Sequence, residues 1–150
     1  MDTLGKHNPR LKELRRRVRE RRDGEVVVDG RRLIADLVRW GVPIRELYVA
    51  AGIDLQGPLL AAAERVREVE TSVLADVAPT RHPQGVLAVV GEPSWPSWSG
   101  ESGVALWLDR VQDPGNLGAI VRAAAGLGAR TVLLSPGCAD PFGPLAVRGS

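Results

Sequence analysis

Asn116 and Arg122 have the types and spacing to do chemistry together: an amide follows the turn Asp113-Pro114-Gly115, and a guanidinium comes about two helical turns on. Asp113-Pro114-Gly115 is turn chemistry, because an Asp side chain bonds backbone amides, Pro pre-sets its φ and Gly tolerates φ > 0. A helix is expected to open at about Asn116, a favoured N-cap type, with its free amides facing the turn. Such a helix end offers N–H groups and a partial positive charge to a phosphate or another anion. Arginine adds a planar fork that bonds two oxygens at once.

The elements that must position these groups surround them. Residues 104–108 are unbroken apolar, which suits a strand covered on both faces as in a parallel sheet. Helix propensity is good from Ala119 to Leu127, Gly128 supplies the stop, and residues 131–134 form a second apolar strand. Residues 104–135 thus have the length and order of one right-handed βαβ unit. At about 100° per residue, Leu117, Ile120, Val121, Ala124 and Leu127 share the face that packs on the sheet. Arg122 points away from it, among Gly118, Ala119, Ala125 and Gly126. A solvent-facing helix usually carries long charged residues there. A bare face with one guanidinium therefore reads as a surface that something approaches closely; a solvated arginine beside small neighbours is the competing reading.

The run Asp113-Pro114-Gly115-Asn116-Leu117-Gly118-Ala119-Ile120-Val121-Arg122-Ala123-Ala124 is followed by Gly128-Ala129, Val132-Leu133-Leu134, Asp140-Pro141-Phe142 and Val147-Arg148-Gly149-Ser150. It resembles the first conserved block of the SpoU (TrmH) RNA ribose 2′-O-methyltransferases. A dozen ordered residues with downstream partners is far more specific than a short glycine pattern. Gly126-Leu127-Gly128, for instance, ends a helix and does not open one, so a dinucleotide-binding reading is weak.

The resemblance implies an α/β-knot (SPOUT) catalytic domain that uses S-adenosyl-L-methionine and works as a homodimer. It implies catalytic roles for Asn116, Arg122 and Ser150, with Arg148 as a second phosphate ligand. It also implies two later blocks, an Asn-Glu pair and a Ser-Leu-Asn run, which build the knot and hold the cofactor. Cofactor-binding residues are accordingly expected beyond Ser150, and residues 104–150 are read as an incomplete methyltransferase domain. Methylating a ribose hydroxyl requires a poor nucleophile held in line with the sulfonium methyl, so positioning and easier proton loss dominate. The family's matching Arg is often assigned as the base. A guanidinium keeps its proton, which favours phosphate positioning with electrostatic help to the leaving proton. Asn116 would then orient Arg122 or the ribose.

The rest of the chain is compatible with an RNA partner. Net charge is only +2, yet residues 1–24 hold nine Lys or Arg against four Asp or Glu, so the basic character is local. Asn8-Pro9 followed by Leu11, Leu14 and Val18 predicts an amphipathic helix to about Arg22, capped by Asn8. Arg15, Arg16, Arg19 and Arg22 on its polar side are RNA-binding candidates, because such clusters provide salt-dependent affinity for nucleic acid; a solvated face is the alternative. No apolar run approaches membrane-spanning length, and no export signal is seen. The single Cys138 lacks metal-spaced neighbours, which points to the cytoplasm and to no metal.

Short apolar segments then alternate: strands at 26–28, 47–49, 66–69 and 86–90, and helices at 30–40, 58–65 and 73–77, a small α/β/α sandwich. The order resembles the RNA substrate-binding domain that precedes the catalytic domain in many SpoU enzymes. In the loop before the last strand, His82 and Gln84 could bond RNA, or Pro83 and Gly85 simply make a turn. Residues 92–103 are rich in Pro, Gly and Ser, with Trp95 and Trp98 as anchors or stacking groups. The expected fold class is α/β, with an RNA-binding sandwich at 1–91, a linker at 92–103 and the first βαβ part of a SPOUT domain at 104–150. The expected function is S-adenosylmethionine-dependent 2′-O-methylation of RNA, ribosomal in preference to transfer RNA. The alternative is a catalytically inactive RNA-binding module derived from such an enzyme.

Overall fold

The computed structural model describes residues 3–20, 24–55, 57–80, 82–92 and 103–150. The chain forms two compact units, Met1–Glu92 and Pro93–Ser150. Among the described residues no helix is long and apolar enough to cross a membrane.

The first unit runs α1 (Pro9–Arg19), β1 (Glu25–Asp29), α2 (Arg31–Arg39), β2 (Ile44–Ala50), α3 (Pro58–Ala61), β3 (Val66–Val69), α4 (Thr71–Val77) and β4 (Val86–Gly91). Its sheet has the order β1-β4-β2-β3, with β4 antiparallel to both neighbours and β3 parallel to β2. The apolar run of β4 fits this central position, where both faces are covered. Side chains alternate across a strand, so the two faces have different partners. Val27, Tyr48, Ala50, Leu87 and Val89 pack with Leu11 and Leu14 of α1 and Val73, Leu74 and Val77 of α4. Their neighbours Val26, Val28, Leu47, Val49, Val86, Ala88 and Val90 are buried on the other side, where α2 lies against β1 and β4.

A register shift between Ile44 and Glu46 decides which face of the sheet receives a carboxylate. Ile44 lies opposite Val90, and Glu46 opposite Val89. The extra residue turns Glu46 to the α1 side while Ile44 stays on the other. Glu46 thus shares a face with Tyr48.

The helix ends have local causes. Asn8 caps α1 by accepting from Arg10 N at 3.0 Å. The helix stops at Arg19, short of the expected Arg22, which lies outside the described residues together with Arg21 and Asp23. Gly30 cannot cap α2 with a side chain, and Gln84 does so from the far end of the unit, its Oε1 accepting from Arg31 N at 3.1 Å. Gln84 is therefore structural, and Arg81 of the same loop lies outside the described residues. The helix expected at 58–65 ends at Ala61, because the following residues are drawn to β2: Glu64 N donates to Ile44 O at 2.9 Å, and Arg65 O accepts from Leu47 N at 2.8 Å. Trp95 and Trp98 also lie outside the described residues.

The second unit contains β5 (Ala105–Leu108), α5 (Pro114–Gly126), β6 (Thr131–Leu134) and α6 (Pro144–Gly149). Strands β5 and β6 pair in parallel, with Leu108 opposite Leu134, and α5 forms the crossover. Gly128, at φ +85°, ends the crossover helix where expected. Two expectations fail here. Strand β5 is not covered on both faces: Val104 is 65% and Trp107 62% exposed, and among the described residues β6 alone pairs with it. Leu127, expected to face inward, is 87% exposed at the C-cap, one residue past the last packed turn.

Candidate functional site

The N-terminus of α5 is capped by Asp113, whose Oδ1 accepts from Asn116 N at 2.6 Å. Asn116 is thus not the cap, as expected, but the third helical residue, with its own side chain exposed. The physical reason is Pro114, which needs no hydrogen bond at the first helical position and shifts the start toward Asp113. Asn116 keeps its side chain for other uses.

Helix α6 packs on the small-residue face of α5. A Cβ at Gly118 would lie 2.2 Å from Ala146 O and 2.9 Å from Gly149 Cα. A Cβ at Gly149 would lie 3.2 Å from Gly115 O and 3.4 Å from Ala119 N. Gly118, placed on the outer face by the helical wheel, is therefore buried beneath α6. Ala119, Arg122, Ala125 and Gly126 remain exposed. Ser150 follows Gly149 and is fixed by its N–H to Ala146 O at 3.0 Å and by its hydroxyl, which donates to Val147 O at 2.9 Å. This packing sets Gly149, the residue before Ser150, against Gly115, Gly118 and Ala119 in the first turns of α5, the segment that also holds Asn116. Arg122 is exposed on the following turn, with no hydrogen bond or ion pair to a described residue. Arg148 is exposed in the last turn of α6.

A polar clamp that sequence reading missed ties the loop before α5 to the loop after β6. Ser135 Oγ donates to Asp109 Oδ1 at 2.7 Å and accepts from Arg110 N at 3.0 Å. Arg110 has φ +51°, the one positive φ of a non-glycine among the described residues. Ala139 N donates to Val111 O at 2.8 Å and completes the link between the two loops. The signal was the parallel register, since Asp109 and Ser135 directly follow the paired Leu108 and Leu134.

In the first unit, Leu11 and Leu14 of α1 are buried, while Arg16 and Arg19 are exposed and Arg15 is half-buried. Arg16 pairs with Glu13 at 2.8 Å. Arg17 turns inward, Nη1 reaching Glu46 Oε1 at 3.0 Å, with Nε 3.3 Å from Glu25 and 3.4 Å from Glu13. Glu46 Oε2 also accepts from Tyr48 Oη at 2.9 Å and Arg67 Nε at 3.1 Å.

Burial alone would raise the pKa of Glu46, but hydrogen bonds from Tyr48, Arg17 and Arg67 outweigh it and hold the carboxyl below its ordinary range. Burial, and then the bond to Glu46, push the Tyr48 hydroxyl up to about 12. A lowered carboxylate contributes stability that is present above its unfolded value near 4.5 and lost as pH falls through the lower folded value. A raised tyrosine contributes stability that is present below pH 10 and lost as pH rises toward about 12. Melting temperature is therefore expected to fall at both extremes, and Glu46→Gln should shallow both limbs. Unchanged limbs in that variant would remove the network from the stability of the unit.

Comparison with known proteins matches both units. Residues 8–88 match the MRM3-like substrate binding domain, and residues 103–150 match the SpoU rRNA Methylase family. The chain is 31% identical over 152 residues to an uncharacterized tRNA/rRNA methyltransferase of Synechocystis sp., covering 95% of this chain and 56% of that protein. A crystal structure of an RNA 2′-O ribose methyltransferase superposes with TM-score 0.80 at 27% identity, over 99% of this chain and 60% of that one. An AdoMet-bound rRNA methyltransferase from Sinorhizobium meliloti gives TM-score 0.75 at 26% identity, over 99% and 59%. The chain thus spans somewhat over half the length of these relatives. With the substrate-binding match over most of the first unit and the methylase match over the segment that carries Asn116, Arg122 and Ser150, the chain belongs to the SpoU family of RNA methyltransferases.

Proposed function

We propose that the complete protein is an S-adenosylmethionine-dependent ribose 2′-O-methyltransferase of ribosomal RNA. In this reading residues 1–91 bind RNA, 92–103 link, and 104–150 form the first part of the catalytic domain. The observation that carries it is Arg122, an exposed guanidinium on α5, the helix against which α6 sets Gly149, the residue before Ser150. A guanidinium and an amide two turns apart on one helix, with a hydroxyl at the end of the helix packed on it, suit a phosphodiester and its adjoining ribose. Arg122 positions the phosphate and stabilises the proton-losing hydroxyl by its charge, Asn116 orients the guanidinium or the ribose, and Ser150 and Arg148 hold the phosphate.

S-adenosylmethionine supplies the methyl group when bound. The described residues of the second unit do not fit as its holder, since the exposed Val104 and Trp107 on a two-stranded sheet enclose no slot for an adenosyl group. No residue of this chain is assigned to it. Ribosomal RNA is favoured by the rRNA methyltransferase among the structural relatives. A homodimer suits the exposed small face of Ala119, Ala125 and Gly126, and a cytoplasmic location suits the unpaired Cys138.

RNA binding by this chain, titrated with salt, tests the recognition half of the reading. Binding should weaken linearly on a log–log plot, and charge reversal at Arg15, Arg16 and Arg19 together should lower the slope by roughly 2, at about 0.7 per single-strand phosphate contact. No salt-sensitive RNA binding would sink the reading. An unchanged slope in the variant would leave the outer face of α1 as a solvated surface.

A further inference from the structure

A groove beside α1 presents cations that the outer face of that helix does not include. Arg10, Glu13 and Arg17 form one stripe of α1 at i, i+3 and i+7 and face Glu46, Tyr48, Arg65 and Arg67 across a groove of about 560 Å³. Tyr48 lies opposite Arg67 in the β2–β3 register, and Arg65, two residues before Arg67, continues the same side of the chain. Its backbone is fixed by the bond that Arg65 O accepts from Leu47 N at 2.8 Å.

The carboxylates in this groove are already committed. Glu46 is bonded by Arg17, Tyr48 and Arg67, and Glu13 pairs with Arg16 and Arg17. Arg10 and Arg65 are exposed, and neither side chain makes a hydrogen bond or ion pair to a described residue. Arg67 bonds Glu46 through Nε, which anchors its guanidinium at the groove wall. The result is a row of guanidiniums whose internal counter-charges are spent, and a polyanion supplies what they lack. Tyr48 is only 2% exposed, with its hydroxyl on Glu46, so its ring is not available for stacking on a base. The groove therefore suits phosphates and not bases.

We propose that the groove between α1 and the β2–β3 edge is an RNA-backbone site in which Arg10 and Arg65 each bond a phosphate and Arg67, held by Glu46, lines the same groove. The proposal rests on the RNA reading above and adds a site to it. Such contacts fix the register of a strand without reading its sequence.

The test uses the double variant Arg10→Gln with Arg65→Gln, and a control, Arg32→Gln with Arg39→Gln, which removes equal charge from α2. Both pairs are exposed, and matched melting curves check the fold. The groove variant should lose between 1 and 2 in salt slope, roughly 0.7 per phosphate contact, and lose affinity equally for RNAs of different sequence, while the control keeps the parent slope. A parent-like slope in the groove variant, with the parent binding RNA normally, would overturn the site while leaving the RNA reading intact. An equal loss in the control would reduce the effect to net charge and overturn it too. No RNA binding by the parent would sink both. A nucleoside diphosphate titrated alone distinguishes the other source of phosphate: binding that needs Arg10 and Arg65, with RNA affinity unaffected, would assign the groove to a small ligand and overturn the proposal.

Discussion

Arg122→Ala is expected to cut RNA methyl transfer by the full-length protein about 10²–10³-fold, the scale seen when one preorganised donor to a developing charge is removed. The RNA dissociation constant should stay within a few-fold of the parent, because the proposed recognition surface lies mainly on the first unit. The fold should be untouched, since Arg122 is exposed and makes no bond to a described residue. Arg122→Lys separates the two contributions of the guanidinium. Lysine keeps the charge and loses the fork, so partial recovery would point to electrostatics and no recovery to bidentate positioning. Near-normal turnover by Arg122→Ala would remove it from the mechanism.

Gly118→Val should detach α6 from α5. The nearest obstacle to a side chain there is Ala146 O, at 2.2 Å from a modest Cβ, and it is backbone that no rotamer change can clear. Overpacking costs about 1–3 kcal/mol even where side chains can yield, so a six-residue helix held by this contact should not survive it. Amide exchange read residue by residue should show Val147 and Ser150 losing protection, while β4 of the first unit keeps its own. Methyl transfer should fall with it, because this packing sets Gly149, the residue before Ser150, against α5. Retained protection at Ser150 would mean that α6 is held by something other than the Gly118–Gly149 approach.

How much of the fold was legible in the sequence depended on how local each cause is. The Asn8 cap, the Leu11–Leu14 stripe and the apolar runs of β1 and β4 are written in a few adjacent residues, and the structure has them where expected. The start of α5 was harder, since Asp113 and Asn116 are both good caps three residues apart and only Pro114 decides between them. The small face of α5 was legible as a close-approach surface, but not that α6 of the same chain fills half of it. Arg17 was invisible as an inward residue. It sits at the edge of the α1 stripe among other arginines, and the carboxylate that draws it in faces α1 only because of the irregularity at Ile44–Glu46. The early end of α3 has the same origin, a strand pairing that no local propensity encodes.

The proposed chemistry at α5 is ribose methylation that depends on Arg122, and nucleoside analysis tests it most directly. Ribosomal RNA would be incubated with the full-length protein and methyl-labelled S-adenosylmethionine, then digested to nucleosides. Label is expected in one 2′-O-methyl nucleoside, and about 10²–10³-fold more slowly with Arg122→Ala. Label on a base, or equal ribose label from the Arg122 variant, would contradict that chemistry.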